Sequence, residues 1–130
     1  MVFDFNLAAS ALSTQSERKW ETAEVLFAAE KYADALFFCH LAIELRLKGL
    51  VAKATRDTPP YIHDLPRLAL LAQLELSAEK KADLAEISTF NIRARYDDYK
   101  LMRHKKATKE FAEKYMTISR ELLAYLSSSQ

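Results

Sequence analysis

The residues best suited to chemistry are concentrated late in the chain, in the stretch RARYDDYKLMRHKK at positions 93–106. This stretch carries six basic and two acidic side chains, a net charge of +4, while thirteen basic and sixteen acidic residues give the rest of the chain −3. That asymmetry favours an anionic partner at this end of the molecule. Phosphate groups fit, because arginine offers forked donors and tyrosine stacks on bases. We therefore predict that the front half binds a ligand, with Arg93, Arg95, Tyr96 and Asp97 as the candidate residues.

The same stretch has a second interpretation, as a junction between two helices whose lysines lie in water. This interpretation suits Lys100, Lys105 and Lys106 at least as well as ligand binding does. The adjacent aspartates at positions 97 and 98 also have two roles open to them. They could ligate magnesium around a nucleotide, or pair with the arginines nearby. We prefer the pairing and predict no metal in this stretch.

A second set of reactive side chains lies near the middle of the chain, at His40, Glu44 and Lys48. On a helix these positions form one stripe, because residues four apart are neighbours. One interpretation is an i,i+4 Glu–Lys pair on an exposed strip or a dimer face. The other is that Glu44 holds an arginine of the Arg93–Arg95 pair and shapes a ligand pocket. Metal binding by His40 and Glu44 lacks an evident third ligand, so no metal is predicted here either.

The elements that must position these residues are predicted to be helices throughout. Apolar residues recur at three- and four-residue steps, and the chain has one glycine and three prolines with which to form turns. The predicted helices cover about 10 or 13 to 30, 32–53, 64–74, 77–96, and from 104–108 to 126. The second is apolar nearly all round, which is typical of a central buried helix. We predict an all-α fold, an up-and-down bundle of four long helices plus one short helix.

Composition restricts the class of protein. The chain has 130 residues, half of them apolar and 28% charged, with a net charge of +1, which is typical of one globular domain spanning 1–130. The longest apolar run, 35–51, contains four polar or charged residues and does not predict a membrane span. The N-terminus lacks the features of a signal peptide, so the expected localisation is cytoplasmic. The single cysteine, Cys39, is predicted to be a core residue.

Three segments together resemble the HEPN family, small helical bundles named for nucleotide binding in higher eukaryotes and prokaryotes. The first, at 31–51, has an aromatic-rich start, a polar residue, Ala-Ile-Glu and then a basic residue. The second is the tripeptide at 63–65, and the third is the tetrapeptide at 94–97, close to the family's ARYP motif with aspartate in place of proline. The residues that carry the resemblance are His40, Ala42, Ile43, Glu44, Lys48, His63, Asp64, Leu65, Ala94, Arg95, Tyr96 and Asp97.

The resemblance implies a homodimer and, for many prokaryotic members, a small nucleotidyltransferase partner encoded alongside, often in a toxin–antitoxin system. It also implies two functional branches. One consists of metal-independent ribonucleases, marked by an arginine and a later histidine with four to six residues between them. The other lacks that motif and is assigned nucleotide binding or an accessory role.

The ribonuclease motif is absent where the family has it. A histidine transfers protons near neutral pH and an arginine stabilises charge on the scissile phosphate. His104 would need an arginine at 97, 98 or 99, which are Asp97, Asp98 and Tyr99. Arg56 and His63 have the right spacing, but they flank a proline-containing loop.

We therefore expect a non-catalytic, homodimeric module, with no cofactor, that binds a nucleotide, RNA or a nucleotidyltransferase partner. One alternative is a divergent ribonuclease using His104, or His63 with Arg56. The other is a structural dimer without a small ligand.

Overall fold

The computed structural model describes residues 2–95 and 108–129, with the backbone alone for 92–95. Within that part the chain forms five α-helices and no strand. They are α1 (Phe5–Ala28), α2 (Tyr32–Thr55), α3 (Leu65–Leu71), α4 (Ala78–Arg95) and α5 (Lys109–Ser128). The predicted bundle of four long helices and one short helix is confirmed. None of these helices has both the length and the hydropathy that a membrane-spanning segment needs.

The helix starts follow from capping residues. Ser77, predicted as the cap of α4, accepts a hydrogen bond from the backbone N–H of Lys80 at 3.2 Å. Asp64 caps α3 in the same way, with Pro66 in the first turn, where a missing N–H costs nothing. The predicted start of α1 was wrong: it begins at Phe5 because the carboxylate of Asp4 accepts from Leu7 N at 3.0 Å.

The helix ends use ordinary residues where proteins often use glycine. Glu30, Arg56 and Gln73 all have positive φ, between 56° and 62°, just after α1, α2 and α3. After α3, Gln73 N–H bonds to the carbonyl of Leu70 and Leu74 N–H bonds to that of Ala69, which is the Schellman arrangement. This explains why α3 stops at Leu71 rather than at 74 as predicted.

Helix α2 is the centre of the bundle and packs against all four other helices. Its buried residues lie on nearly every side, as the sequence predicted. The largest fully buried apolar side chains of the core are Ile43, Leu47, Leu65, Leu68, Leu84, Ile87 and Leu126. Because the middle of α2 is enclosed, a charged residue buried there, such as Glu44, must find partners inside the protein.

Small residues let α1 lie close against α2. A Cβ added at Gly49 would meet the backbone oxygen of Ala9 at 3.4 Å, so the two helices approach closely there. Ser16 donates a 2.6 Å hydrogen bond to the carbonyl of Ala42 across the same contact. Cys39 is fully buried nearby, and burial raises the pKa of its thiol to about 12. It is therefore an unreactive core residue, as predicted.

Candidate functional site

The carboxylate of Glu44 is the centre of a polar cluster inside the protein, and the residue is only 5% exposed. One oxygen, Oε1, accepts from His40 Nε2 at 3.0 Å and from His63 Nδ1 at 2.9 Å. The other, Oε2, accepts from Lys48 Nζ at 3.1 Å. The i,i+4 pair with Lys48 therefore forms, but at a buried position rather than on an exposed strip. We call His40, Glu44, Lys48 and His63 the Glu44 cluster.

The cluster keeps Glu44 ionised. Burial by itself would raise the pKa of this carboxyl, because the charged form loses hydration. The hydrogen bonds from His40, Lys48 and His63, together with the charge of Lys48, outweigh that effect and lower the pKa to about 2. Glu44 is thus a fixed negative charge that orients three donors.

His40 connects the cluster to α4. Its ring is fully buried, with Nε2 on Glu44 and Nδ1 at 3.3 Å from the backbone carbonyl oxygen of Ile87. Each ring nitrogen thus lies within hydrogen-bond distance of a protein oxygen. His40 therefore has a positioning role: it holds α2 against α4, and it offers no free atom to a ligand.

His63 is the member of the cluster that reaches the surface, with 32% of its side chain exposed. Its Nδ1 is occupied by Glu44, and among the described residues Nε2 has no hydrogen-bond partner. Its backbone carbonyl accepts from Ser88 Oγ at 3.4 Å, and the same Oγ accepts from Leu65 N at 3.1 Å. The loop before α3 is therefore attached to both α2 and α4.

A cavity of about 410 Å³ opens beside His63, between the start of α3 and the second half of α4. Its polar lining includes a carboxylate, two hydroxyls and an amide, and its lining residues are His63, Asp64, Pro66, Ala85, Ser88, Thr89 and Asn91. Asn91 is only 7% exposed, and no hydrogen bond among the described residues involves its side-chain amide. The cavity thus offers both donors and acceptors to a polar ligand.

A second cavity, of about 450 Å³, lies between α1, α2 and α5. Glu17, Glu21 and Glu24 line it, against Arg46 and Arg120. The guanidinium of Arg46 bonds to Ser13 Oγ and lies 3.9 Å from the carboxylate of Glu17, while its buried Nε has no hydrogen-bond partner among the described residues. The cavity beside the Glu44 cluster is the candidate site, because a histidine nitrogen without a described partner lies at its wall.

The other predicted site residues fall in different places. Arg56 packs its guanidinium on the ring of Phe5, 5.5 Å from the centroid, whereas His63 contacts Glu44. Arg93 and Arg95 are in the last turn of α4, and their side chains are not described. Tyr96, Asp97 and His104 lie outside the described residues.

Sequence reasoning found each member of the Glu44 cluster but did not join His63 to the others. His63 is nineteen residues beyond Glu44, so no helical spacing relates them. It did not single out Ser88 and Asn91, which line the cavity, because the sequence carries no pattern for them. Within the described part of the chain, no three His, Cys, Asp or Glu residues are grouped to hold a metal ion.

Comparison with known proteins agrees with the fold. The family model described as the HEPN domain matches residues 9–129. No curated protein sequence matches the chain. The crystal structure of TT1696 from Thermus thermophilus superposes with a TM-score of 0.78 at 21% identity, covering 94% of this chain and 98% of that one. With a helical fold in agreement and a family match over nearly its whole length, this chain belongs to the HEPN domain family.

Proposed function

We propose that this HEPN domain is a non-catalytic module that binds a nucleotide, free or within RNA, in the cavity beside the Glu44 cluster. The observation that carries the proposal is the orientation of His63. Glu44 occupies Nδ1 at 2.9 Å, so Nε2 is the atom left for a ligand, at the wall of a polar cavity of nucleotide size.

The two ends of a nucleotide are proposed to meet different residues at this site. The carboxylate of Asp64 and the amide of Asn91 can pair with the exocyclic groups and ring nitrogens of a base. Position 95 follows 88 and 91 at helical spacing, so it shares a face of α4 with these two cavity-lining positions. An arginine at that place suits a phosphate group, because its forked donors bind phosphate in a bidentate manner.

Titration calorimetry of the purified chain with ATP, GTP and a short RNA tests the proposal. We expect saturable heat with at least one ligand, and a loss of roughly tenfold or more in affinity for Arg95→Ala, since hydrogen bonds to charged groups contribute about 1.5–3 kcal/mol. Arg18→Ala, which removes an exposed arginine from α1, is the matched control and should bind as the wild type does. Absence of heat with all three ligands would contradict the proposal.

The same site is proposed to act within a homodimer and beside a small nucleotidyltransferase partner, as the family resemblance implies. Family membership supports this part of the proposal, since such pairs recur among prokaryotic members. The same variants serve here: Arg95→Ala should weaken capture of a nucleotidyltransferase encoded next to the gene, and Arg18→Ala should not.

A second candidate function, metal-independent cleavage of RNA, is favoured by the Glu44–His63 pair. A carboxylate bound to one ring nitrogen fixes the tautomer and leaves the other nitrogen to transfer a proton, as in hydrolase triads. The pair has no arginine among its described contacts, which is why cleavage ranks second.

Incubation with mixed RNA in the presence of a chelator decides between the two functions. We expect the RNA to remain intact. Cleavage that is lost in His63→Ala but kept in the exposed-site control Arg18→Ala would establish the second candidate. Cleavage that survives both His63→Ala and His104→Ala would exclude these histidines as its source.

A further inference from the structure

We infer that Tyr61 is the stacking platform for the base of the bound nucleotide, an assignment that rests on the proposed function. Tyr61 lies in the loop between α2 and α3, two residues before His63, and it is 92% exposed. An aromatic ring so exposed contributes little to the core, and stacking with a base is the role that such rings commonly have in nucleic-acid binding.

The loop holds Tyr61 in a defined position. Pro59 and Pro60 precede it and restrict the backbone. The N–H of Ile62 donates to the carbonyl of Pro60 at 2.9 Å, closing a tight turn around Tyr61 itself. One residue further on, His63 is bonded to Glu44. The backbone that carries the ring is thus already ordered before a ligand binds, which lowers the entropy cost of binding.

The Tyr61 ring has two neighbours from the Glu44 cluster. Lys48 Nζ lies 5.5 Å from the ring centroid, and the His63 ring lies 5.9 Å away at an angle of 67°, an edge contact. Neither neighbour covers the ring, because Tyr61 remains 92% exposed. The ring is therefore a flat aromatic surface open to a ligand and adjacent to His63.

The neighbours of Tyr61 favour a nucleotide over an apolar protein surface. Nε2 of His63 needs an acceptor or donor when it is covered, and an apolar partner would leave it buried without one. A base with its sugar and phosphate supplies oxygen and nitrogen atoms at that distance while its ring lies on Tyr61. The ligand class is therefore a purine or pyrimidine nucleotide, which the protein recognises by stacking on its base as well as by its shape.

The experiment uses a nucleotide whose base is 2-aminopurine, because its fluorescence is quenched when it stacks. We expect quenching by the wild-type chain and by Tyr61→Phe, which keeps the ring. Tyr61→Leu, which keeps the apolar bulk without the aromatic face, should abolish the quenching and weaken binding roughly 5- to 150-fold. Ribose 5-phosphate, which has no base, should bind the wild type and Tyr61→Leu equally.

Tyr125→Leu is the matched control. Tyr125 is also an exposed tyrosine with a lysine amine over its ring, Lys80 Nζ at 4.7 Å from the centroid, but it lies on α5. This variant should bind and quench as the wild type does. If Tyr61→Leu and Tyr125→Leu reduce binding and quenching equally, the inference is overturned.

The outcomes separate this inference from the function it rests on. If the wild type binds neither nucleotide nor ribose 5-phosphate, the proposed function fails and the inference fails with it. If the wild type binds and Tyr61→Leu binds and quenches equally, the proposed function stands and the inference alone is overturned. A loss of affinity that accompanies dissociation of a dimer, measured by light scattering, would assign Tyr61 to an interface between copies and overturn it as well.

Discussion

Replacing Glu44 with glutamine is expected to lower the free energy of unfolding by about 3–5 kcal/mol, the usual cost of removing one partner from a buried charge cluster. Both oxygens of Glu44 accept hydrogen bonds, two on Oε1 and one on Oε2. Glutamine replaces one of these two oxygens with an NH₂ group, which is a donor. That group must face either Lys48 or the two histidines, and the side chains that it faces lose their acceptor. The lysine ammonium, with only 12% of its side chain exposed, is left without its counter-charge.

Urea denaturation at pH 7 measures this effect. The matched control is Glu113→Gln on α5, an exposed glutamate at which the same chemical change should alter stability by no more than about 0.5 kcal/mol. A loss below about 1 kcal/mol in Glu44→Gln would show that the cluster does not hold the loop before α3 against α2. The same variant should also weaken nucleotide binding, because His63 loses the carboxylate that orients it.

At low pH the wild type is expected to lose the stabilisation that ionised Glu44 provides. The Glu44→Gln variant has no such stabilisation to lose. The pKa of Glu44 is lowered from an ordinary value of 4.5 to about 2 in the folded protein. A lowered pKa means that the stabilisation is fully present above the unfolded value and disappears as the pH falls from about 4.5 towards 2. The shift corresponds to about 3 kcal/mol, at about 1.36 kcal/mol for each pH unit.

The measurement is a series of urea denaturation curves for the two proteins between about pH 5 and pH 2. The difference in their free energies of unfolding should shrink by about 3 kcal/mol over that interval. The other carboxyls are common to both proteins, so the comparison isolates the titration of Glu44. A difference that stays constant with pH would mean that Glu44 keeps its ordinary pKa in the folded state.

The spacing around His104 and the contacts of Glu44 both bear on the proposed function. Asp97, Asp98 and Tyr99 occupy the positions at which His104 would need an arginine, and this follows from the sequence alone. The Glu44–His63 pair has the form of a proton-transfer pair, but Lys48 shares the same carboxylate. A carboxylate that accepts from three donors has a fixed geometry, which suits the proposed binding role.

Helix positions were largely predictable because they depend on local information. The three- and four-residue spacing of apolar side chains, the caps at Asp64 and Ser77 and the prolines at 59 and 60 each act within a few residues. The start of α1 was missed although its signal is local too: Asp4 caps the helix, and Phe5, Ala8, Ala9 and Leu12 follow the three- and four-residue spacing.

The stripe of His40, Glu44 and Lys48 was determined by the sequence, because helical spacing alone places residues four apart on one side. The burial and the hydrogen-bond partners of these residues were decided by the tertiary structure. Burial of Glu44 depends on α4 and the loop before α3 closing over α2, and only that closure brings His63 to the carboxylate across nineteen residues. The cavity beside Asn91 has the same origin, because it lies where the start of α3 meets α4 and no local pattern encodes such a meeting.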